Sequence, residues 1–300
     1  MSTITPHLWF ATQAGEAAAF YASVFPDSAV TNSIVLHDTP GGDSESVTFR
    51  LWGQDFMAIS AGPLFQINPS ISFTANVDPS RVEDPVELVD RLWTALSDGG
   101  QTLMELGEYP FSKRYGWVQD RFGVSWQIML TDPAGEPRPP ILTSLLFVGS
   151  SAGQAEEAGD LYLSLFDSER GQLIRWTEAT DVEVPGTVMF SDLRLGDSWL
   201  TAMDSSHPGH TYGFNEAVSL VVKCADQAEI DRLWAALSAV PEAEQCGWCK
   251  DRFGVSWQIV PEAMDRMMSE GTPDQLDRVV QAFMPMKKLD VAALEAAYAG

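Results

Sequence analysis

The side chains best suited to chemistry in this 300-residue chain are few, with only three cysteines and four histidines. Cys246-Gly-Trp-Cys249 has the spacing of a dithiol redox pair. Such pairs work at a helix N-terminus, which lowers the pKa of the first thiol. Here the motif runs into a strand pattern, where residues three apart lie about 10 Å apart and face opposite sides. That separation exceeds disulfide reach, so Cys246 is expected as a free thiol facing a ligand. His7 lies on the first strand, with an imidazole that titrates near neutral pH and suits a base or a ligand. The plainer reading, a half-buried strand histidine hydrogen-bonded to a neighbour, is favoured over that role. Asp204, His207 and His210 share the segment DSSHPGH, where a loop over a binding mouth would present them. Pro208-Gly209 in the same loop also makes an ordinary turn. Trp117, Trp126, Trp248 and Trp257 are either aromatic walls for a planar ligand or plain core. Glu105, Glu108, Tyr109 and Tyr115 show no spacing that marks an acid/base pair. The chain contains no Ser-His-Asp elbow, phosphate loop, dinucleotide glycine fingerprint or EF-hand.

Cys246 and the four tryptophans belong to a passage written twice. Gly116 to Ile128 reads GWVQDRFGVSWQI and Gly247 to Ile259 reads GWCKDRFGVSWQI, with eleven of thirteen residues identical at an offset of 131. That interval is too long for a solenoid unit and matches a small domain. In each copy Asp-Arg-Phe-Gly supplies turn chemistry, and Asp120-Arg121 and Asp251-Arg252 are expected to hold it by hydrogen bonds and a local ion pair. An alternating strand follows, so each copy predicts a hairpin closing its domain.

Stepping along the chain, strand Ile4–Phe10 precedes helix Ala14–Phe25, with Ala18, Tyr21, Ala22 and Phe25 on one face. Strands at Val30–His37, Ser46–Trp52 and Phe56–Ser60 follow. Strand Ser70–Val77, helix Pro85–Ser97 and strands around Thr102–Leu106, Tyr115–Gln119 and Val124–Leu130 repeat that order. Residues 1–131 thus read as one domain and the Pro-rich residues 132–140 as a linker. Residues 141–260 read as a second domain of the same plan, and residues 261–300 as a helical tail. Only eight residues separate Ser238 from Gly247, so the strand equivalent to Thr102–Leu106 is expected to be shortened or missing.

The hydrophobic fraction of 45% indicates a globular chain, and the net charge of −24 disfavours nucleic acid and anionic lipid as partners. No apolar run reaches the length of a membrane helix, and no secretory signal is visible. A cytoplasmic protein without membrane or nucleic-acid partners is therefore expected.

The order of units, the FYASVF helix, the DRLW helices and the repeated hairpin together resemble the glyoxalase/vicinal-oxygen-chelate superfamily, and its PhnB-like branch in particular. The resemblance implies an α+β fold of tandem βαβββ units with curled mixed sheets, glyoxalase/bleomycin-resistance-like, plus the C-terminal helices. It also implies an internal pseudo-dimer, with further homo-oligomers possible through the tail. Metal-binding members take His or Glu ligands from the first, fourth, fifth and eighth strands. Matched residue by residue, those positions hold His7 (or Pro6), FMAIS, Ser72 and Gln127 in the first domain. In the second they fall near Ser144 and on WLTAM, Ser219 and Gln258. Serine and glutamine are poor ligands for a divalent ion, so no metal and no other cofactor is expected. Methyltransferase names attach to this branch, yet no Gly-rich adenosylmethionine loop follows a strand. Three functions compete: a metal-independent binder of a small, partly aromatic molecule; an isomerase, lyase or dioxygenase-like enzyme around His7; and a structural protein with filled cups. The first is favoured. Its ligand is expected in the cup of the second domain, at Trp248, Cys246, His207, His210 and Asp204. The first cup, with His7, Tyr115 and Trp117, is the alternative.

Overall fold

The computed structural model describes residues 3–39, 42–180 and 182–300. The first repeat runs β1 (Ile4–Phe10), α1 (Ala14–Val24), β2 (Ala29–Thr39), β3 (Gly42–Leu51), β4 (Gln54–Ser60), β5 (Ile71–Val77), α2 (Pro85–Ser97), β6 (Gln101–Tyr109), β7 (Ser112–Gln119) and β8 (Ser125–Leu130). The second runs β9 (Ile141–Phe147), α3 (Ala155–Leu165), β10 (Ser168–Arg175), β11 (Val188–Leu195), β12 (Ser198–Asp204), β13 (Val218–Cys224), α4 (Gln227–Leu237), β14 (Trp248–Lys250) and β15 (Ser256–Pro261). The tail adds α5 (Ala263–Glu270), α6 (Pro273–Phe283) and α7 (Val291–Ala299). Among the described residues no helix is long and apolar enough to cross a membrane.

The strands form two mixed sheets, and neither belongs to one repeat. The first sheet has the order β14-β15-β13-β1-β4-β3-β2, and the second β10-β11-β12-β9-β5-β8-β7-β6. Antiparallel pairing of β1 with β13 and of β5 with β9 joins the repeats edge to edge, placing His7 opposite Ser219 and Ser72 opposite Ser144. Within a repeat the two sheets face each other across a core. Phe56 of β4 meets Phe73 of β5 at 5.0 Å, and Trp126 packs on Phe73 at 5.4 Å. The expectation of one cup per repeat therefore fails: each sheet's other face is lined by half of each repeat.

The repeated passage is explained by its aspartate. Asp120 Oδ1 accepts the N–H groups of Phe122 (2.8 Å) and Val124 (3.0 Å), and its Oδ2 accepts the Tyr21 hydroxyl (2.7 Å) and the Trp126 indole (2.9 Å). Asp251 does the same with Phe253, Val255, Tyr162 and Trp257. One carboxylate thus ties turn, strand and helix together in each repeat, and four donors that burial would otherwise leave unpaired are satisfied. The expected local ion pair does not form. Arg121 lies over the Phe20 ring at 4.0 Å instead, and Arg252 bonds Glu157 at 2.7 Å.

Where the second repeat is short, the tail replaces what is missing. A 3-10 turn at Pro241–Ala243 occupies the place of a strand equivalent to β6. The Cys246 N–H donates to Met286 O and the Gly247 N–H to Lys287 O, both at 2.7 Å. Left-handed backbone at Cys246 (φ 52°) and Gly247 (φ 85°) turns these groups toward the tail. The tail helices start firmly: Thr272 and Gln275 form a capping box with Pro273 in the first turn of α6, and Asp290 caps α7.

Candidate functional site

The positions that the resemblance marks for metal ligands come together in both sheets, and hydrogen bonds among neutral groups tie up their serines and glutamines. In the first sheet Gln258 Nε2 donates to Ser219 Oγ at 2.9 Å, beside His7. In the second, Gln127 Nε2 donates to Ser72 Oγ at 2.8 Å, while its Oε1 accepts from the Tyr115 hydroxyl at 2.8 Å. Ser144 there shares bonds with Thr74 (2.8 Å) and Thr201 (2.7 Å). Among the described residues no three His, Cys, Asp or Glu side chains are grouped to hold a metal ion. A divalent ion would meet amide and hydroxyl groups already bonded to one another, and these do not fit it.

His7 is 5% exposed and stands edge-on to Trp248, with ring centroids 5.5 Å apart. Its Nδ1 is buried without a hydrogen-bond partner, against the expectation of a bonded strand histidine. Burial holds its pKa down at about 4, so the ring is neutral at pH 7.

The four tryptophans divide by strand face. Trp126 and Trp257 are fully buried and donate to the core aspartates. Trp117 and Trp248 are half-buried, and each stands opposite the ligand-position glutamine, Gln127 or Gln258. Tyr115 sits in an aromatic group with Tyr109 (5.4 Å) and Phe111 (4.9 Å) at the hairpin of β6 and β7.

The second-repeat site expected from sequence is not brought together. Trp248 and Cys246 belong to the first sheet's edge, whereas Asp204 ends β12 in the second sheet. Asp204 accepts the N–H groups of Gly153, Ala155 and Val188 and so holds the start of α3. The rings of His207 and His210 lie tilted against each other at 5.1 Å, and His210 packs on Tyr212 at 5.3 Å, within one loop. His207 Nδ1 accepts the Gly209 N–H at 3.0 Å, as a turn requires. Cys224, Cys246 and Cys249 are all free thiols, and burial raises the Cys246 pKa.

What the first sheet does form is a cavity of about 720 Å³ between its face, the segment after β4 and the tail. Trp9, Leu36 and Ile59 wall it from the first repeat, Trp248 and Cys246 from the second, and Phe283 from α6. Trp9 is fixed by its indole N–H donating to Gly62 O at 2.7 Å. It meets Phe65 at 5.2 Å and 79°, and Trp248 at 6.3 Å and 82°. Neither His7 nor the Ser219–Gln258 pair lines this space, which lies outward of the metal-ligand positions. Trp9 was detectable in the sequence, because it lies two residues beyond His7 and so shares its strand face. Phe65 and Phe283 gave no such signal, since a loop and a tail helix deliver them.

A family model described as 3-demethylubiquinone-9 3-methyltransferase matches residues 2–129 and 139–260. Adenosylmethionine, which that description implies, finds no glycine-rich turn between β1 and α1. The N-terminus of α1 is already taken by Glu45, which accepts the Gly15 N–H at 3.2 Å and fills the space beside Gly15. Among solved structures, a PhnB protein from Bacillus cereus is 35% identical over 42% of this chain and 98% of that chain, with a TM-score of 0.38. Glyoxalase I from Zea mays aligns over 87% of this chain and 94% of that chain, at 11% identity and a TM-score of 0.55, a likeness of fold. No curated protein matches the chain.

Proposed function

The chain belongs to the PhnB-like family of the glyoxalase/vicinal-oxygen-chelate superfamily, and from that premise we propose that it binds a small, partly aromatic molecule in the cavity of the first sheet. The observation that carries this reading is the cavity itself, whose volume suits a small organic ligand and whose walls include an indole from each repeat. The reading involves no metal, because the superfamily's ligand positions hold neutral Ser–Gln pairs. It involves no proton transfer by His7, which lies off the cavity wall with its basicity suppressed by burial.

The test is a titration with quinoline, followed by heat, on the wild type and two variants. Trp248→Ala removes a cavity wall, and Trp117→Ala removes its counterpart in the second sheet. We expect saturable 1:1 binding that is at least tenfold weaker in Trp248→Ala, the scale of losing an aromatic contact of 1.4 kcal/mol or more, and unchanged in Trp117→Ala. Equal binding by wild type and Trp248→Ala would exclude the cavity as the site.

A further inference from the structure

Resting on that cavity reading, we propose that the preferred ligand is an organic cation, with its positive centre held in the corner between Trp9, Phe65 and Trp248. Two observations on the cavity and one on the whole surface point the same way.

The first is ring geometry. Trp9 meets both Phe65 and Trp248 at close to right angles, 79° and 82°, with centroids 5.2 and 6.3 Å away. Rings that met face to face would close the space between them; perpendicular rings leave a corner bounded by π-surfaces. Each aromatic face carries partial negative charge, so such a corner attracts a cation, and aromatic cages recognise quaternary ammonium groups in this way. The corner is held open without ligand, because the Trp9 indole is anchored on Gly62 O and Trp248 is braced from behind by His7.

The second is charge. Among the described residues the ionisable carboxylates on the wall are Glu216 and Glu242, and no lysine or arginine lines it. Glu216 is matched by Lys250 at 2.6 Å. Glu242 has no ion pair among the described residues. The nearby tail lysines are taken: Lys287 bonds Glu244 at 3.0 Å, and Lys288 bonds Asp231 at 2.5 Å. An entering cation therefore meets one carboxylate without an ion pair, whereas an entering anion meets no unpaired cation on the wall.

The third is the whole surface. A net charge of −24 on 300 residues draws cations toward the protein and repels anions at moderate ionic strength. This long-range field alone gives no site, but it acts in the same direction as the cavity wall.

The experiment uses three bicyclic aromatic probes of nearly equal size at pH 8 and 150 mM salt: N-methylquinolinium (cationic), quinoline (neutral) and naphthalene-2-carboxylate (anionic). Each is titrated by calorimetry into the full chain and into Glu242→Gln and Trp248→Ala. We expect N-methylquinolinium to bind about tenfold tighter than quinoline and the anion to bind weakest. Glu242→Gln should narrow the gap between cation and neutral probe several-fold while leaving quinoline unchanged. Trp248→Ala should weaken all three. Equal binding of cation and neutral probe, or tightest binding of the anion, overturns the cation preference while leaving the cavity reading intact. No saturable binding of any probe, or binding indifferent to Trp248→Ala, overturns both. A cation preference that survives Glu242→Gln undiminished and also persists in Trp248→Ala assigns it to the surface field and overturns the proposed corner.

Discussion

His7 shows how a single residue can be well placed for chemistry and yet be withheld from it. Its neutral ring props Trp248 and leaves Nδ1 unpartnered in a buried position. Burial lowers its pKa from 6.5 to about 4, so the unfolded chain takes up a proton over that interval while the native state does not. Stability contributed by His7 is therefore full above about pH 6.5 and is lost as pH falls toward 4. By linkage, the wild type should lose about 2 to 3 kcal/mol more than His7→Leu between pH 7.5 and 4.5. Asp120, whose pKa burial raises to about 6, works in the opposite sense, so the comparison with the variant isolates the histidine. Urea unfolding at the two pH values checks this, and equal losses in both proteins would contradict it. The metal-ligand positions give a second residue-scale prediction. If ligand chemistry alone separates this site from a metal centre, Ser219→His combined with Gln258→Glu should supply two further ligands beside His7. Zinc affinity, read by competition with a chelating dye, should then rise by about a hundredfold or more. An unchanged affinity would show that backbone placement, and not residue type, excludes the ion. These positions were legible in the sequence only through the family resemblance, which marks His7, Ser219 and Gln258 strand by strand. The unpartnered state of His7 was not, since it depends on what Trp248 and its neighbours leave around it.

At the scale of elements, the tail is the part of the chain that makes the first sheet differ from the second. Met267, Val279, Val280, Phe283, Leu289 and Leu294 form its own buried cluster, with Leu36 and Cys246 packed against it. Its backbone carbonyls at Met286 and Lys287 receive the amides of Cys246 and Gly247. A chain ending at Pro261 should therefore expose those two amides. Hydrogen exchange should speed up there by orders of magnitude, with the Trp126 and Trp257 regions still protected, and quinoline binding should be lost with Phe283. Slow exchange at Cys246 and Gly247 in the shortened chain would mean that the hairpin edge holds without the tail. Helices α1 and α2 and most strands could be placed from periodicity and turn residues, and the lost strand from the short interval between Ser238 and Gly247. What replaces that strand could not. An edge needs acceptors, and nothing in the spacing of the tail shows that the carbonyls of the segment between α6 and α7 supply them.

The whole molecule is two repeats that share both sheets. Each repeat builds its part of one continuous core around an aspartate, while the pairings of β1 with β13 and of β5 with β9 carry the sheets across the boundary. The near-identity of the hairpins made the repetition plain, but repetition says only that two units exist. Which edges meet is decided by strand order, and buried polar residues of the joining strands, such as His7 and Ser219, give no sign of facing one another until the strands pair. Such pairing predicts one cooperative unfolding transition and a monomer in solution, with scattering from a single compact particle. Two separated lobes, or two transitions in wild type, would contradict it. It also decides where the cavity lies, because Trp9 and Trp248 meet only if the first sheet crosses between repeats. The most direct test of that claim is the set of indole N–H signals in a nitrogen-15 spectrum, assigned by single Trp→Phe variants and followed while N-methylquinolinium is added. The account predicts that Trp9 and Trp248 shift together along one saturation curve while Trp117, Trp126 and Trp257 stay in place. Shifts centred on Trp117, with Trp9 and Trp248 unmoved, would place the ligand in the second sheet and contradict it.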